Sequence, residues 1–523
     1  MKKMMKKLIA MAAALVMIVT LLPAVGTKAE GVPSIDESKN GQSSITITKK
    51  SNDNNGDVLP GAEFTYYKIA TIKKNQSGQW IYEVDSKYST ILGVESGKLN
   101  ELDSAKWESQ AIVDRLADVN DTTGVTGTTD DAGKITWGNL SFGIYLIKET
   151  KTPENHIASR PFIIALPTTN NYSNNVEGNG EDDWTVGTSW VYDVSATPKN
   201  TSQSVDKKVT SGDTSVAVGD TVAYEITTTI PTYSSEYTDH VFKIYDTMTE
   251  GLTFNKDSLK VYINNEEIKD STSVYELFTD EKLNEDDDDI KTFIIDFAEN
   301  YVKNNGGKAV KVTYSATVNE KAVYVNNNKA GISYKNNPDS MTDATTGGTD
   351  VPVYSYGINL TKNDASNKKT LLNGATFTLV DKTGAEIKFS YNNGTIFVEK
   401  DNTSEDLATV TVAGKDGQLV INGLDEGTYV LTEIQSPKGY TLLANPIEIT
   451  IKAQADGTID ENQTKVDNQL ADVENGVINI TVSNQKGFSL PETGGMGTYL
   501  FTIGGIVIMA GAAFALIAMK KRA

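Results

Sequence analysis

Three lysines, three acids and three asparagines recur in one order along this chain, and strand alternation decides what they can do together. In an extended strand, alternate side chains share a face. By that rule Lys49 continues the apolar face of Ile45 and Ile47, Lys207 sits between Val205 and Val209, and Lys362 follows Ile358 and Leu360. The acids end similar rows: Glu149 after Tyr145 and Ile147, Asp246 after Phe242 and Ile244, Glu433 after Tyr429 and Leu431. The asparagines close the sets, with Asn200 beyond Val194, Ala196 and Pro198, Asn328 on the face of Ala330, Ile332 and Tyr334, and Asn484 beyond Ile480 and Val482. A lysine aimed at a core is ion-paired, neutral or consumed, because burial disfavours its charged form. For any single lysine, a snorkelling stem or a buried ion pair explains the pattern equally well. Three sets in the same order suit a reaction. A neutral amine is a nucleophile, and a buried protonated carboxyl polarises the asparagine carbonyl and shuttles protons as ammonia leaves. With proximity fixed by the fold, the product is a Lys–Asn isopeptide bond made without an enzyme.

The elements that must hold these sets are strands. Between its termini the chain is thin in aliphatics and rich in Thr, Val, Ile, Tyr, Asn and Gly, the composition of many strands joined by polar turns. Its 523 residues suit about three domains. Similar openings mark them: Ser44 to Lys49 followed by Pro60-Gly61-Ala62-Glu63-Phe64, Gly357 to Lys362 followed by Asn373-Gly374-Ala375-Thr376-Phe377, and Ser204 to Val209 between. The expected fold is all-β, with three tandem immunoglobulin-like sandwiches at 30–200, 201–354 and 355–488.

Composition also excludes functions. The net charge is -21, from 69 acidic against 48 basic residues, which repels a phosphate backbone, so no nucleic acid partner is expected. Cysteine is absent and the only histidines are His156 and His240. Disulfides, thiol nucleophiles, a histidine-centred triad and a multi-histidine metal site are therefore not expected, and neither is a cofactor. The acidic run Glu285 to Asp289 lacks calcium-loop spacing and reads as a solvated loop. No enzyme activity beyond the autocatalytic cross-links is expected.

The two ends set the compartment. Residues 1–29 carry Lys2, Lys3, Lys6 and Lys7, an apolar run from Leu8 to Leu22 and small residues up to Ala29, the three-part pattern of a secretory signal. At the other end Leu490-Pro491-Glu492-Thr493-Gly494, within a motif and linker at 489–497, precedes an apolar stretch and the basic cluster Lys520, Lys521 and Arg522 in the segment 498–523. That order resembles the cell-wall sorting signal read by sortases, with a transmembrane helix held by its basic tail. The resemblance implies that a sortase cysteine attacks the Thr493 carbonyl, releases Gly494 onward and passes the thioacyl chain to an amine.

Tyr429-Val-Leu-Thr-Glu433-Ile-Gln-Ser-Pro437-Lys-Gly439-Tyr440 resembles the E-box of sortase-assembled Gram-positive major pilins. The modules resemble their Cna-type domains, B-type at both ends and A-like in the middle, where the acid is an aspartate. In the last strand of the first module, Trp190-x-x-x-Val194-x-Ala196-Thr197-Pro198-Lys199 resembles the pilin motif, with Ala196 and Thr197 in place of the usual Val and Tyr. There Asn200 points inward and Lys199 outward. The resemblance implies the major subunit of a wall-anchored pilus, in which sortase joins Thr493 to Lys199 of the next identical subunit. Its implied partners are a pilus sortase, a housekeeping sortase, ancillary pilins and peptidoglycan, and its implied role is support of adhesion. The alternative is a monomeric wall-anchored adhesin of the same modules with Lys199 idle.

Overall fold

The structure, a computed structural model, describes residues 34–52, 56–78, 80–92, 116, 123–169, 189–212, 214–269, 271–285, 287–392, 395–399, 410–411, 417–487 and 496–520. The expected signal peptide and Leu490, Pro491, Glu492, Thr493 and Gly494 lie outside the described residues.

Strands are the dominant element among the described residues. In the first unit Ser43–Thr48 alternates buried and half-buried residues, as a strand with one face on a core must. It lies between Lys134–Leu140, which is antiparallel to it, and Asp193–Ala196, which is parallel. The facing sheet joins Trp80–Val84, Glu63–Lys74, Gly143–Lys151 and Phe162–Leu166. Ile45, Ile47, Phe64, Tyr145, Ile147, Ile164 and Ala196 pack between the two layers.

The third unit repeats this plan. Tyr356–Asp364 lies between Gln418–Leu424, antiparallel, and Val477–Asn484, parallel. In both units the last strand returns beside the first, so the two ends of each unit are neighbours.

The middle unit is wired differently. Val205–Val209 forms one edge of a five-stranded sheet, next to Thr221–Thr229 and then Ala309–Val318. The facing five-stranded sheet has Phe242–Met248 at its centre, with Asn328–Tyr334 as one neighbour. The lysine strand and the asparagine strand therefore lie in opposite sheets across the core, and Ala344–Asp350 follows as the edge strand beside Asn328–Tyr334.

The units touch through specific contacts. Asn336, Asn337 and Asp339 of the middle unit meet the 148–158 segment of the first: the Ala158 backbone amide donates to the Asn336 carbonyl at 2.8 Å, Asn337 Nδ2 donates to the Glu149 backbone carbonyl at 2.9 Å, and the buried Lys148 pairs with Asp339 at 2.9 Å. Between the middle and third units, Tyr324 packs against Tyr354 and Tyr356, and its hydroxyl accepts from the Ile459 amide at 3.0 Å.

The C-terminal helix runs Met496–Lys520. On the described side chains alone, no helix is long and apolar enough to cross a membrane. Positions 515, 516 and 518 fall outside those side chains, and the sequence is decisive here. No Asp, Glu, Lys or Arg occurs between Met496 and Met519, a length of about 36 Å against a hydrocarbon core of about 30 Å.

Candidate functional site: three buried lysine, acid and asparagine sets

The strand ends that place Lys49 and Lys362 are themselves fixed by backbone bonds. The Lys49 amide donates to the Gly133 carbonyl at 2.7 Å, and the Lys362 amide donates to the Gly417 carbonyl at 2.7 Å. Both glycines have positive φ, and a Cβ on either would stand 2.8 and 2.7 Å from the Lys49 and Lys362 carbonyl oxygens, respectively. Only glycine permits that approach.

In the first unit, Lys49, Glu149 and Asn200 converge in the core, with Lys49 and Asn200 fully enclosed. Lys49 Nζ lies 2.7 Å from Glu149 Oε2 and against Asn200 Oδ1, while Asn200 Nδ2 donates to Glu149 Oε1 at 2.7 Å. The Ser159 amide and hydroxyl both donate to Glu149 Oε2 at 2.7 Å. Burial pushes the Lys49 amine below the usual lysine range, against the attraction of Glu149.

The third unit has the same geometry. Lys362 Nζ lies against Asn484 Oδ1 and 3.8 Å from Glu433 Oε1. Asn484 Nδ2 donates to Glu433 Oε2 at 2.7 Å, to Glu433 Oε1 at 3.0 Å and to the Thr441 carbonyl at 2.7 Å. The Leu443 amide holds Glu433 Oε2 at 2.8 Å. Burial lowers the Lys362 amine to about 8. Parallel pairing sets the meeting: Asn484 is opposite Asp364 and Asn200 opposite Ser51, each two residues past the lysine.

In the middle unit the facing sheets supply the partners. Lys207 Nζ lies 2.6 Å from Asp246 Oδ2 and against Asn328 Oδ1. Burial lowers the Lys207 amine to about 8 and raises the Asp246 carboxyl, each opposed by the charge of the other. Both directions favour a neutral amine beside a neutral acid, the state that the proposed chemistry requires.

Two kinds of residue were not found by strand alternation. Ser159 and Leu443, which clamp the acids, each follow their acid by ten residues, a spacing visible in the sequence but lying in turns where period-2 reasoning stops. Tyr314, which touches both Asp246 and Asn328, carries no mark in the sequence that sets it apart from a core tyrosine.

Lys199 is exposed and its neighbour Asn200 buried on the strand Lys199–Ser202, which pairs with Lys50–Ser51 and His156–Ile157. Trp190 and Tyr192 are half-buried, and Val194 and Ala196 are buried. In the acidic run, Asp287 pairs with Lys291 at 3.0 Å, and no metal-ligating group of acids and histidines occurs among the described residues.

Comparison with known proteins places matches along most of the chain. The description "Gram-positive pilin subunit D1, N-terminal domain" matches residues 24–201, "Gram-positive pilin backbone subunit 2, Cna-B-like domain" 218–338, "Prealbumin-like fold domain" 357–467 and "LPXTG cell wall anchor motif" 482–523. The middle match is described as Cna-B-like, where the aspartate suggested an A-like module. The distinctive feature of that unit is that lysine and asparagine come from opposite sheets. The fimbrial subunit type 1 of Actinomyces viscosus is 28% identical over 77% of this chain and 76% of its own length. The trypsin-resistant surface T6 protein of Streptococcus pyogenes is 25% identical over 64% of this chain and 72% of its own. Among solved structures, the T6 backbone pilin of Streptococcus pyogenes superposes with a TM-score of 0.55 at 20% identity, covering 87% of this chain and 100% of the other. The full-length major pilin SpaD of Corynebacterium diphtheriae gives 0.52 at 20% identity, covering 87% and 99%. These two likenesses show the fold.

Proposed function

Because this chain is a Gram-positive pilin subunit with an LPXTG cell-wall anchor, we propose that it is the polymerising shaft subunit of a covalent surface pilus. The observation that carries this reading is the alternation at the end of the first unit, where Asn200 enters the core beside Lys49 and Lys199 stands in water. An exposed primary amine next to a strand end is what a sortase thioacyl intermediate at Thr493 needs. A pilus sortase joins Thr493 of one subunit to Lys199 of the next, and a housekeeping sortase transfers the finished fibre to peptidoglycan. Ancillary pilins enter the same polymer, and the fibre supports adhesion. The chain is a structural protein, not an enzyme acting on other molecules, and its only reactions on itself are the three internal Lys–Asn cross-links.

In cells with the matching pilus sortase, the wild type is expected to give a ladder that survives boiling in detergent. Lys199→Ala is expected to collapse it to wall-anchored monomer, because the sorting signal is intact and another amine accepts Thr493. A ladder that persists in Lys199→Ala assigns the acceptor to another lysine, and a wild type that never forms one makes the chain a monomeric adhesin.

A further inference from the structure

The middle unit differs from its neighbours at one atom-level point. In the first and third units, the glutamate carboxylate accepts directly from the asparagine amide nitrogen. In the middle unit that role belongs to a tyrosine. Asn328 Nδ2 donates to the Tyr314 hydroxyl at 3.2 Å, and that hydroxyl donates to Asp246 Oδ2 at 2.7 Å. The same Oδ2 receives Lys207 Nζ at 2.6 Å, while Asp246 Oδ1 is buried without a hydrogen-bond partner. Lys207 Nζ, Asp246 Oδ2, the Tyr314 hydroxyl and Asn328 Nδ2 therefore form one continuous chain, beginning at the nitrogen that must lose a proton and ending at the nitrogen that must gain one.

We propose that Tyr314 is a catalytic residue of the middle cross-link, relaying a proton from the attacking Lys207 amine to the departing Asn328 nitrogen. The proposal rests on the isopeptide reading above and adds a group that reading did not contain. The neutral Lys207 amine attacks Asn328 Cγ, and a C–N bond forms as the carbonyl becomes tetrahedral. Tyr314 gives its hydroxyl proton to Nδ2, the proton of the neutral Asp246 carboxyl restores the Tyr314 hydroxyl, and the Lys207 nitrogen gives Asp246 its proton back. The Cγ–Nδ2 bond breaks and ammonia leaves, so one proton has moved between the two nitrogens and Asp246 and Tyr314 end as they began.

The physical reason for a relay is reach. Aspartate is one methylene shorter than glutamate, and Tyr314 stands on Ala309–Val318 of the sheet facing Asp246 and Asn328, so its ring spans the core to meet both. The ring is positioned by stacking on Tyr224 at 5.4 Å and edge contact with Phe293 at 5.0 Å, and its hydroxyl is kept protonated by burial. Tyr224 makes a natural control: its hydroxyl faces Asn328 without hydrogen-bond geometry.

The test is cell-free synthesis of the full chain, quenched over time and digested, with each cross-linked peptide quantified by mass spectrometry. In Tyr314→Phe the Lys207–Asn328 peptide is expected to appear at least about 100-fold more slowly, the scale of a lost acid–base group, while Lys362–Asn484 forms at the wild-type rate in the same molecules. Tyr224→Phe is expected to stay near wild type. Difluorotyrosine placed at 314 keeps the ring and the hydroxyl but makes it more acidic, and is expected to change the rate without changing the fold. Equal rates for Tyr314→Phe and wild type, equal slowing by Tyr224→Phe, or indifference to the fluorines would each overturn the relay. A wild-type chain with no Lys207–Asn328 peptide removes the reaction itself, and the relay with it.

Discussion

Glu433 grips the Asn484 amide with both oxygens and is in turn gripped by the Leu443 amide, a placement that suits the proposed cross-linking reaction rather than the holding of the strands. The strands have their own ladder, with eight residue pairs between Tyr356–Asp364 and Val477–Asn484. Glu433→Ala is therefore expected to leave the third unit folded but unlinked. Wild type folded without sortase should weigh less than its sequence mass by one ammonia, about 17 Da, per bond, and the variant should lose one such step fewer. Its third unit should also melt lower, since closing a loop of about 120 residues restricts the unfolded chain by about 5 kcal/mol. A variant that keeps the full mass deficit would show that Glu433 has no part in the reaction.

At the scale of elements, the first and third units solve one problem with different surroundings. After Glu433 the turn closes on its own unit, where the Tyr440 hydroxyl donates to Asp364 at 3.0 Å. After Glu149 the turn closes on the middle unit: Asn337, buried, donates to the Glu149 carbonyl at 2.9 Å and to the Thr152 hydroxyl at 3.2 Å. The turn after Glu149 thus takes part of its support from the neighbouring unit, while Ser159 clamps the acid itself. Asn337→Ala leaves the buried Glu149 carbonyl without that donor, at a cost of about 1–3 kcal/mol. The expected result is faster hydrogen exchange and tryptic cutting in the 148–160 segment, with the third unit unchanged. Unaltered exchange there would mean that the contact does not support the first unit.

At the scale of the molecule, the proposed linkage defines a load path. Tension enters at Lys199 and leaves at Thr493, so the first unit hangs beside the path and the other two lie in it. With Lys207 joined to Asn328 and Lys362 to Asn484, force bypasses the two long loops between those pairs. Only about 50 residues remain extensible, on the order of 180 Å, against roughly 1,000 Å for the unlinked chain between the same points. Single-molecule pulling from residue 199 to the C-terminus should give the short extension in wild type and add one long step in Glu433→Ala. A long step from the third unit in wild type would mean that its bond is missing.

The sequence alone determined the all-β class, the three-unit plan, the sorting signal and the inward lysines. Each follows from local rules: strand period, composition, and a linear motif followed by a spanning apolar segment and charge. Period 2 put Lys49, Lys207 and Lys362 on core faces and Lys199 in water because a strand alternates whatever its neighbours are. The tertiary structure alone decided which atoms meet. Nothing local says that the asparagine strand of the middle unit lies across the core from the lysine strand while the outer units set the two side by side, and from that difference come the Tyr314 bridge and the unpaired oxygen of Asp246. The Asn337 contact with Glu149 likewise joins residues 188 positions apart in different units. Pairing at such separations depends on how sheets stack and units dock, which the period of a single strand does not encode.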